Sequence, residues 1–165
     1  KFSEPQKALY NGILEAQLKI IGMIKPGISK QVLQEKSEYL LTQVMIDLGI
    51  LKGFAEELIE KKGHKKYYPH GIGHWMGLDV HDTCPYKNED GSEIVFEEGM
   101  VLTIEPAIYL PEDDMDIPEA YRGIGIRTED DILVTSSGYE NLSDGIAKTV
   151  EEIEAMCARD YRDFL

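Results

Sequence analysis

The sequence predicts an α+β domain with helices packed on a mostly antiparallel sheet. Three observations carry this. The first third of the 165-residue chain repeats its apolar residues at helical spacing. From Gly63 onward the texture changes to glycine, aromatic and β-branched residues, with turn signals between short apolar runs. The chain then closes on a capping box that opens one more helix. Helices, then consecutive strands, then a helix is the order of an α+β domain rather than of alternating βα units.

Taken in order, Ser3-Glu4-Pro5-Gln6 starts a helix. Ser3 can cap, Gln6 stands three residues on, and Pro5 suits a first turn whose N–H groups have no helical partner. Leu9, Ile13, Ala16, Ile20 and Ile24 form its stripe, and Pro26-Gly27 stops it. Ser29 caps a second helix with Leu33, Leu40, Val44 and Leu48 on one face and Gly49 at its end. A short third helix runs from about Ala55 to Lys62. Asp90-Gly91 and Glu97-Glu98-Gly99 read as turns, the second leading into a long strand from Met100 to Leu110. An acidic, proline-flanked loop spans Glu112 to Glu119. Gly123 to Thr135 forms a second long strand, Ser136-Ser137-Gly138 a turn, and Tyr139 to Leu142 a short closing strand. Thr149 and Glu152 box the start of a last helix that runs to about Arg162. The charged residues of the helices are solvated scaffold.

Composition narrows the function classes. Thirty-one acidic residues against 17 basic ones give a net charge of −14, which argues against a nucleic-acid partner and against an anionic membrane surface. It suits a soluble protein and a cation-binding cleft. No run of about 18 apolar residues predicts a membrane span, and the opening residues do not read as a signal peptide. Cys84 and Cys157 stand far apart without metal-ligand spacing, which fits reduced thiols and a cytoplasmic location. The chain opens on Lys1 rather than on a methionine, which suggests a piece of something longer.

Chemistry concentrates in Tyr67 to Asp82, YYPHGIGHWMGLDVHD. This stretch holds His70, His74 and His81, three of the four histidines, with the only tryptophan and three glycines. Neutral imidazole binds metals and titrates near physiological pH, and glycine allows tight turns and close approach of the backbone. On the first long strand, alternation puts Thr103, Glu105, Ala107 and Tyr109 on one face. On the second, Arg127, Glu129 and Asp131 share a face. A carboxylate in the middle of an apolar strand is costly unless it is paired or metal-bound. Two such glutamates with a histidine cluster suggest a divalent-metal site of mixed nitrogen and oxygen ligands. Each residue also has a structural explanation: Arg127 is available to pair with Glu129, and a lone histidine is commonly hydrogen-bonded within a core.

The ordered motifs His70-Gly71-Ile72-Gly73-His74, Gly77-Leu78-Asp79-Val80-His81-Asp82, Thr103-Ile104-Glu105-Pro106 and Gly123-Ile124-Gly125-Ile126-Arg127-Thr128-Glu129-Asp130 resemble the pita-bread metallopeptidases. The resemblance runs through nearly the whole chain and is greatest to the bacterial Xaa-Pro aminopeptidase (aminopeptidase P) branch. Methionine aminopeptidase shares the fold but usually has a different histidine motif. Xaa-Pro dipeptidase is the nearer neighbour, and Tyr121 to Arg127 favours the aminopeptidase.

The resemblance implies a pita-bread (creatinase/aminopeptidase-like) fold, incomplete at its N-terminal side. Residues 1–165 would be the C-terminal part of a catalytic domain, without its upstream strands or an N-terminal recognition domain. It implies His74, Glu105 and Glu129 as metal ligands, with Glu129 bridging two ions, usually Mn2+. His81 would help move protons near the scissile bond, and His70 would bind substrate or stabilise the transition state. Arg127 would orient Glu129, and Tyr109 would line the cleft. The implied substrate is a proline-containing peptide that loses the residue before its proline. Two further ligands of the family are aspartates on strands ahead of the first helix, so this stretch would hold three of five. Alone it is expected to bind metal weakly and to catalyse poorly. Its unpaired strand edges predict a homo-oligomer. Xaa-Pro dipeptidase and a non-catalytic peptide-binding or protein-binding module of the same fold remain alternatives.

Overall fold

Ser3 opens the first helix, α1 (Glu4–Ile21), as its spacing demands. Its hydroxyl accepts from the Gln6 N–H, and its own N–H donates to the Gln6 side chain. The structure is a computed structural model, described over residues 1–160 and 162. Ser29 caps α2 (Lys30–Asp47) by accepting from the Val32 N–H. Then come α3 (Ala55–Glu60), a 3-10 turn over Gly63–Lys66, and the strands β1 (Val101–Ile104), β2 (Ala107–Tyr109), β3 (Gly125–Arg127), β4 (Asp130–Val134) and β5 (Tyr139–Asn141). The last helix, α4 (Val150–Cys157), has the expected Thr149–Glu152 capping box but ends short of Arg162. Tyr161, within the span expected for it, lies outside the described residues. Among the described residues, no helix is long and apolar enough to cross a membrane.

The two long strands expected from the sequence each divide. β1, β4 and β5 form one antiparallel sheet in the order β1-β4-β5, and β2 pairs with β3 in another. The division falls at Glu105-Pro106 on one strand and Thr128-Glu129 on the other. Pro106 has no N–H to give a ladder. The register nevertheless carries straight through. Val101 faces Leu133 and Ile104 faces Asp130, while beyond the break Ala107 faces Arg127 with the same offset. The Thr128 N–H donates to the Pro106 carbonyl at 3.3 Å and bridges the gap. The two sheets are therefore one ribbon with an interruption, and Glu105 lies directly across it from Glu129.

Residues 72–76 run antiparallel along the other edge of β1. The Glu105 N–H donates to Ile72 O at 2.7 Å, the Thr103 N–H to His74 O at 2.9 Å and the Met76 N–H to Val101 O at 3.0 Å. The histidine stretch is thus an irregular outer strand bonded to the strand that carries Glu105.

Two apolar clusters flank the middle of α1. Leu9, Ile13 and Ala16 pack with Leu41, Met45, Tyr67, Tyr68 and Ile108. Ile20, Ile21 and Ile24 pack with Leu33, Ile72, Trp75, Phe96, Leu102, Ile104 and Ile132. Full burial of each such aliphatic side chain contributes about 1.5–3 kcal/mol. Between the clusters lies a polar residue, Gln17, only 1% exposed. The acidic loop after β2 is tied down by Asp114, which accepts from Lys66 Nζ at 2.7 Å and from the Tyr67 hydroxyl at 2.8 Å.

Candidate metal centre

His74, Glu105 and Glu129 each offer a ligand atom, and these atoms lie within 4.8 Å of one another. They come from the outer strand 72–76, the end of β1 and the residue before β4. Side chains along a strand alternate, so Glu105 and Glu129, paired across the ribbon, project from the same face. Glycine at position 73 lets the outer strand come close enough. A Cβ there would stand 1.9 Å from the Thr103 carbonyl oxygen.

Second contacts orient the donors. His74 Nδ1 lies 3.0 Å from the Trp75 carbonyl. A carbonyl only accepts, so Nδ1 carries a proton and the other ring nitrogen, Nε2, faces Glu105 Oε1 at 3.4 Å. An imidazole nitrogen with two carboxylates is a donor set that suits a divalent ion. The Thr103 hydroxyl joins the pair. It accepts from the His74 N–H at 3.0 Å and donates to Glu105 Oε1 at 3.2 Å.

The other residues singled out in the sequence surround this cluster. His81 is exposed, and its ring stands edge-on to His74 with centroids 4.2 Å apart. His70 donates from Nδ1 to Gly71 O at 2.8 Å, and its Nε2 is hydrogen-bonded to the Tyr109 hydroxyl at 3.1 Å. The fold thereby couples His70 and Tyr109, which stand far apart in the sequence.

Two expectations need correction. Arg127 contacts Glu105, with Nη1 3.7 Å from Oε2, rather than orienting its near neighbour Glu129. From β3 the side chain reaches diagonally across the ribbon, because Arg127 is paired with Ala107, two residues beyond Glu105. Glu129 is also exposed rather than buried, whereas the Glu105 side chain is 12% exposed. Both project from one face of the ribbon, but Glu105 is flanked by the outer strand, whose Ile72 carbonyl accepts from its N–H.

Sequence reasoning gave Thr103, Gln17 and Lys30 no role in the site. Alternation already places Thr103 two residues before Glu105 on the same strand face, but its link to His74 needs the pairing of two strands. Gln17 stands four residues after Ile13 and three before Ile20, a polar residue on an apolar stripe. Lys30 Nζ lies 3.7 Å above the Tyr86 ring. Burial lowers the pKa of this ammonium, and the nearby Glu105 carboxylate opposes the shift only in part. Tyr86 in turn stacks on Trp75, so a cation–aromatic column backs the strand that carries His74.

The sequence model of metallopeptidase family M24 matches residues 1–136. The Xaa-Pro aminopeptidase of Haemophilus influenzae is 43% identical over 154 residues, and that of Escherichia coli 43% over 156. These alignments cover 93% and 94% of this chain but 35% of each relative, so the chain spans about a third of their length. Among solved structures, the Pseudomonas aeruginosa aminopeptidase PepP superposes with a TM-score of 0.92 at 42% identity, covering 96% of this chain and 36% of that one. Zinc-substituted Escherichia coli aminopeptidase P in complex with product gives 0.87 at 42% identity, covering 97% and 36%.

Proposed function

The chain belongs to metallopeptidase family M24 and has the pita-bread fold, and from that premise we propose that it forms the C-terminal part of the catalytic domain of an Xaa-Pro aminopeptidase. Such an enzyme hydrolyses the first peptide bond of a peptide with proline second. The observation that carries this reading is the convergence of His74, Glu105 and Glu129 in a chain 43% identical to Xaa-Pro aminopeptidases.

In this reading His74 Nε2 and the Glu105 and Glu129 carboxylates would hold divalent metal. Manganese is the proposed metal, and two carboxylates from strands ahead of α1 complete the set. When bound, the metal supplies a water acidic enough to be a nucleophile at neutral pH and a Lewis acid for the scissile carbonyl. His81, exposed beside His74, passes a proton between the reacting groups and solvent. His70 and Tyr109, already hydrogen-bonded to each other, bind the peptide backbone near the scissile bond. Arg127 holds Glu105 in its ligating orientation. The proposed partners are proline-containing peptides and further copies of the chain. Among the described residues β3 pairs only with β2, and an open strand edge favours self-association. Location in the cytoplasm fits two free cysteines.

The test is hydrolysis of a tripeptide with proline second, set against a dipeptide ending in proline, by a protein that contains this chain. Cleavage of the tripeptide is expected, with both turnover and manganese lost in Glu129→Ala. His81→Ala is expected to keep its metal and lose roughly 10²–10⁴-fold in turnover. A Glu129→Ala protein that still turns over with metal bound would sink the assignment, and preference for the dipeptide would make the enzyme a dipeptidase.

A further inference from the structure

On the reverse face of the ribbon, directly behind the two glutamates, lies a buried polar knot. Side-chain alternation sends Glu105 and Glu129 to one face and their neighbours Ile104 and Asp130 to the other, toward α1. Gln17 meets both neighbours. Its Nε2 donates to the Ile104 carbonyl at 3.1 Å and to Asp130 Oδ2 at 3.1 Å. One amide nitrogen has two hydrogens, and here each goes to a different strand of the ribbon. Gln17 and Asp130 are both 1% exposed. Asp130 is held from two further sides, by Lys148 Nζ at 2.8 Å and by the Ser143 hydroxyl. Its carboxylate is therefore fixed on three sides, among them α1 and the segment between β5 and α4.

The position along the ribbon gives this knot its meaning. Ile104 and Asp130 are the last register pair of β1 and β4 before the interruption at Pro106. Beyond them Pro106 has no N–H to give, so the ladder there is reduced to the one bond from the Thr128 N–H to the Pro106 carbonyl, beside the strand positions that present Glu105 and Glu129. The Gln17 amide spans both strands at that point. Burying an amide and a carboxylate between two apolar clusters is costly unless each polar atom finds a partner, and here the partners are the residue before one glutamate and the residue after the other.

We infer that Gln17 and Asp130 are positioning residues that set the separation and direction of Glu105 and Glu129 from behind the ribbon. The inference rests on the cluster being a metal centre, and it assigns α1 a part in metal binding that no contact of α1 with the site face would suggest.

The test uses the full chain with Gln17→Met, which keeps the length and shape of the side chain and removes both donors. Leu41→Val, in the apolar cluster away from the site, serves as a comparator of general destabilisation. Manganese binding is followed by calorimetry, thermal melting without metal by circular dichroism, and exchange of single amide hydrogens by NMR. Gln17→Met is expected to weaken manganese binding by about 10-fold or more, in the range of residues that orient metal ligands, while Leu41→Val leaves it unchanged at temperatures where both are folded. Faster exchange is expected at the Glu105 and Asp130 amides of Gln17→Met than of Leu41→Val. Equal manganese affinity in Gln17→Met and Leu41→Val would overturn the inference. If the unmodified chain, with three of the five proposed ligands, takes up too little manganese to titrate, exchange alone decides the clamp. Selective loosening at Glu105 and Asp130 would then support it, and exchange no faster than in Leu41→Val would overturn it.

Discussion

The hydroxyl of Thr103 accepts from the His74 backbone and donates to the Glu105 carboxylate, so it couples two ligands that belong to different strands. Thr103→Val keeps the shape of the side chain but removes both bonds. It leaves the His74 N–H without its partner, at a cost of about 1–3 kcal/mol. The expected outcome is a fall of about 10-fold or more in manganese affinity by titration calorimetry, with Thr103→Ser close to the unmodified chain. Affinity unchanged in the valine variant would reduce Thr103 to a packing residue. At this scale the sequence was most legible where chemistry restricts residue type. Imidazole and carboxylate are among the few side chains that bind divalent ions, so the histidine cluster and the two strand glutamates stood out, and the resemblance to the pita-bread metallopeptidases then pointed to His74. A strand threonine has many ordinary uses, and its distance to two ligands exists only once β1 and the outer strand are paired. The partner of Arg127 was misread for a related reason, since the nearest glutamate in sequence is not the nearest across the ribbon.

Among the elements, helix starts were read well because caps are local. Ser3, Ser29 and Thr149 cap as their spacing required. The strands were read as continuous because hydrophobic alternation persists through Glu105-Pro106, although Pro106 interrupts the ladder. The acidic loop after β2 acquires its order from a tie that no local pattern announces, namely Asp114 bonded to Lys66 and Tyr67. The Lys66 ammonium, the Asp116 N–H and the Tyr67 hydroxyl together hold the Asp114 carboxyl down to about 2 from an ordinary 3.8. A carboxyl depressed in the folded state stabilises the fold above its unfolded value and loses that contribution as pH falls through its folded value. The contribution of Asp114 is therefore whole above about pH 5 and is lost as the pH falls through about 2. Melting curves of Asp114→Asn and the unmodified chain should differ by a constant amount between pH 5 and 7 and draw together as the pH falls through about 2. A gap that stays constant down to pH 2 would show that Asp114 contributes no charge-dependent stability.

For the molecule as a whole, a net charge of −14 means that the folded chain repels itself. Salt shortens the reach of that repulsion from about 30 Å at 0.01 M to about 8 Å at 0.15 M. The melting temperature is accordingly expected to rise over that range, by about 2–4 °C for each kcal/mol of repulsion relieved. A fall on adding sodium chloride would mean that specific ion pairs outweigh the overall charge. The α+β order and the antiparallel pairing were visible in the sequence because each depends on short-range periodicity. The exposure of Glu129 and the polar knot beneath it were not, because both depend on which face of the ribbon α1 covers. The unbroken register across the interruption also bears on how the chain tolerates insertions and deletions. Opposition of the two glutamates requires only that each strand keep its own count of residues near the break. The connection from Leu110 to Gly123 can then lengthen or shorten without disturbing the metal ligands. A single residue inserted between Ile104 and Glu105 would instead turn Glu105 toward α1, while Glu129 stayed on the site face.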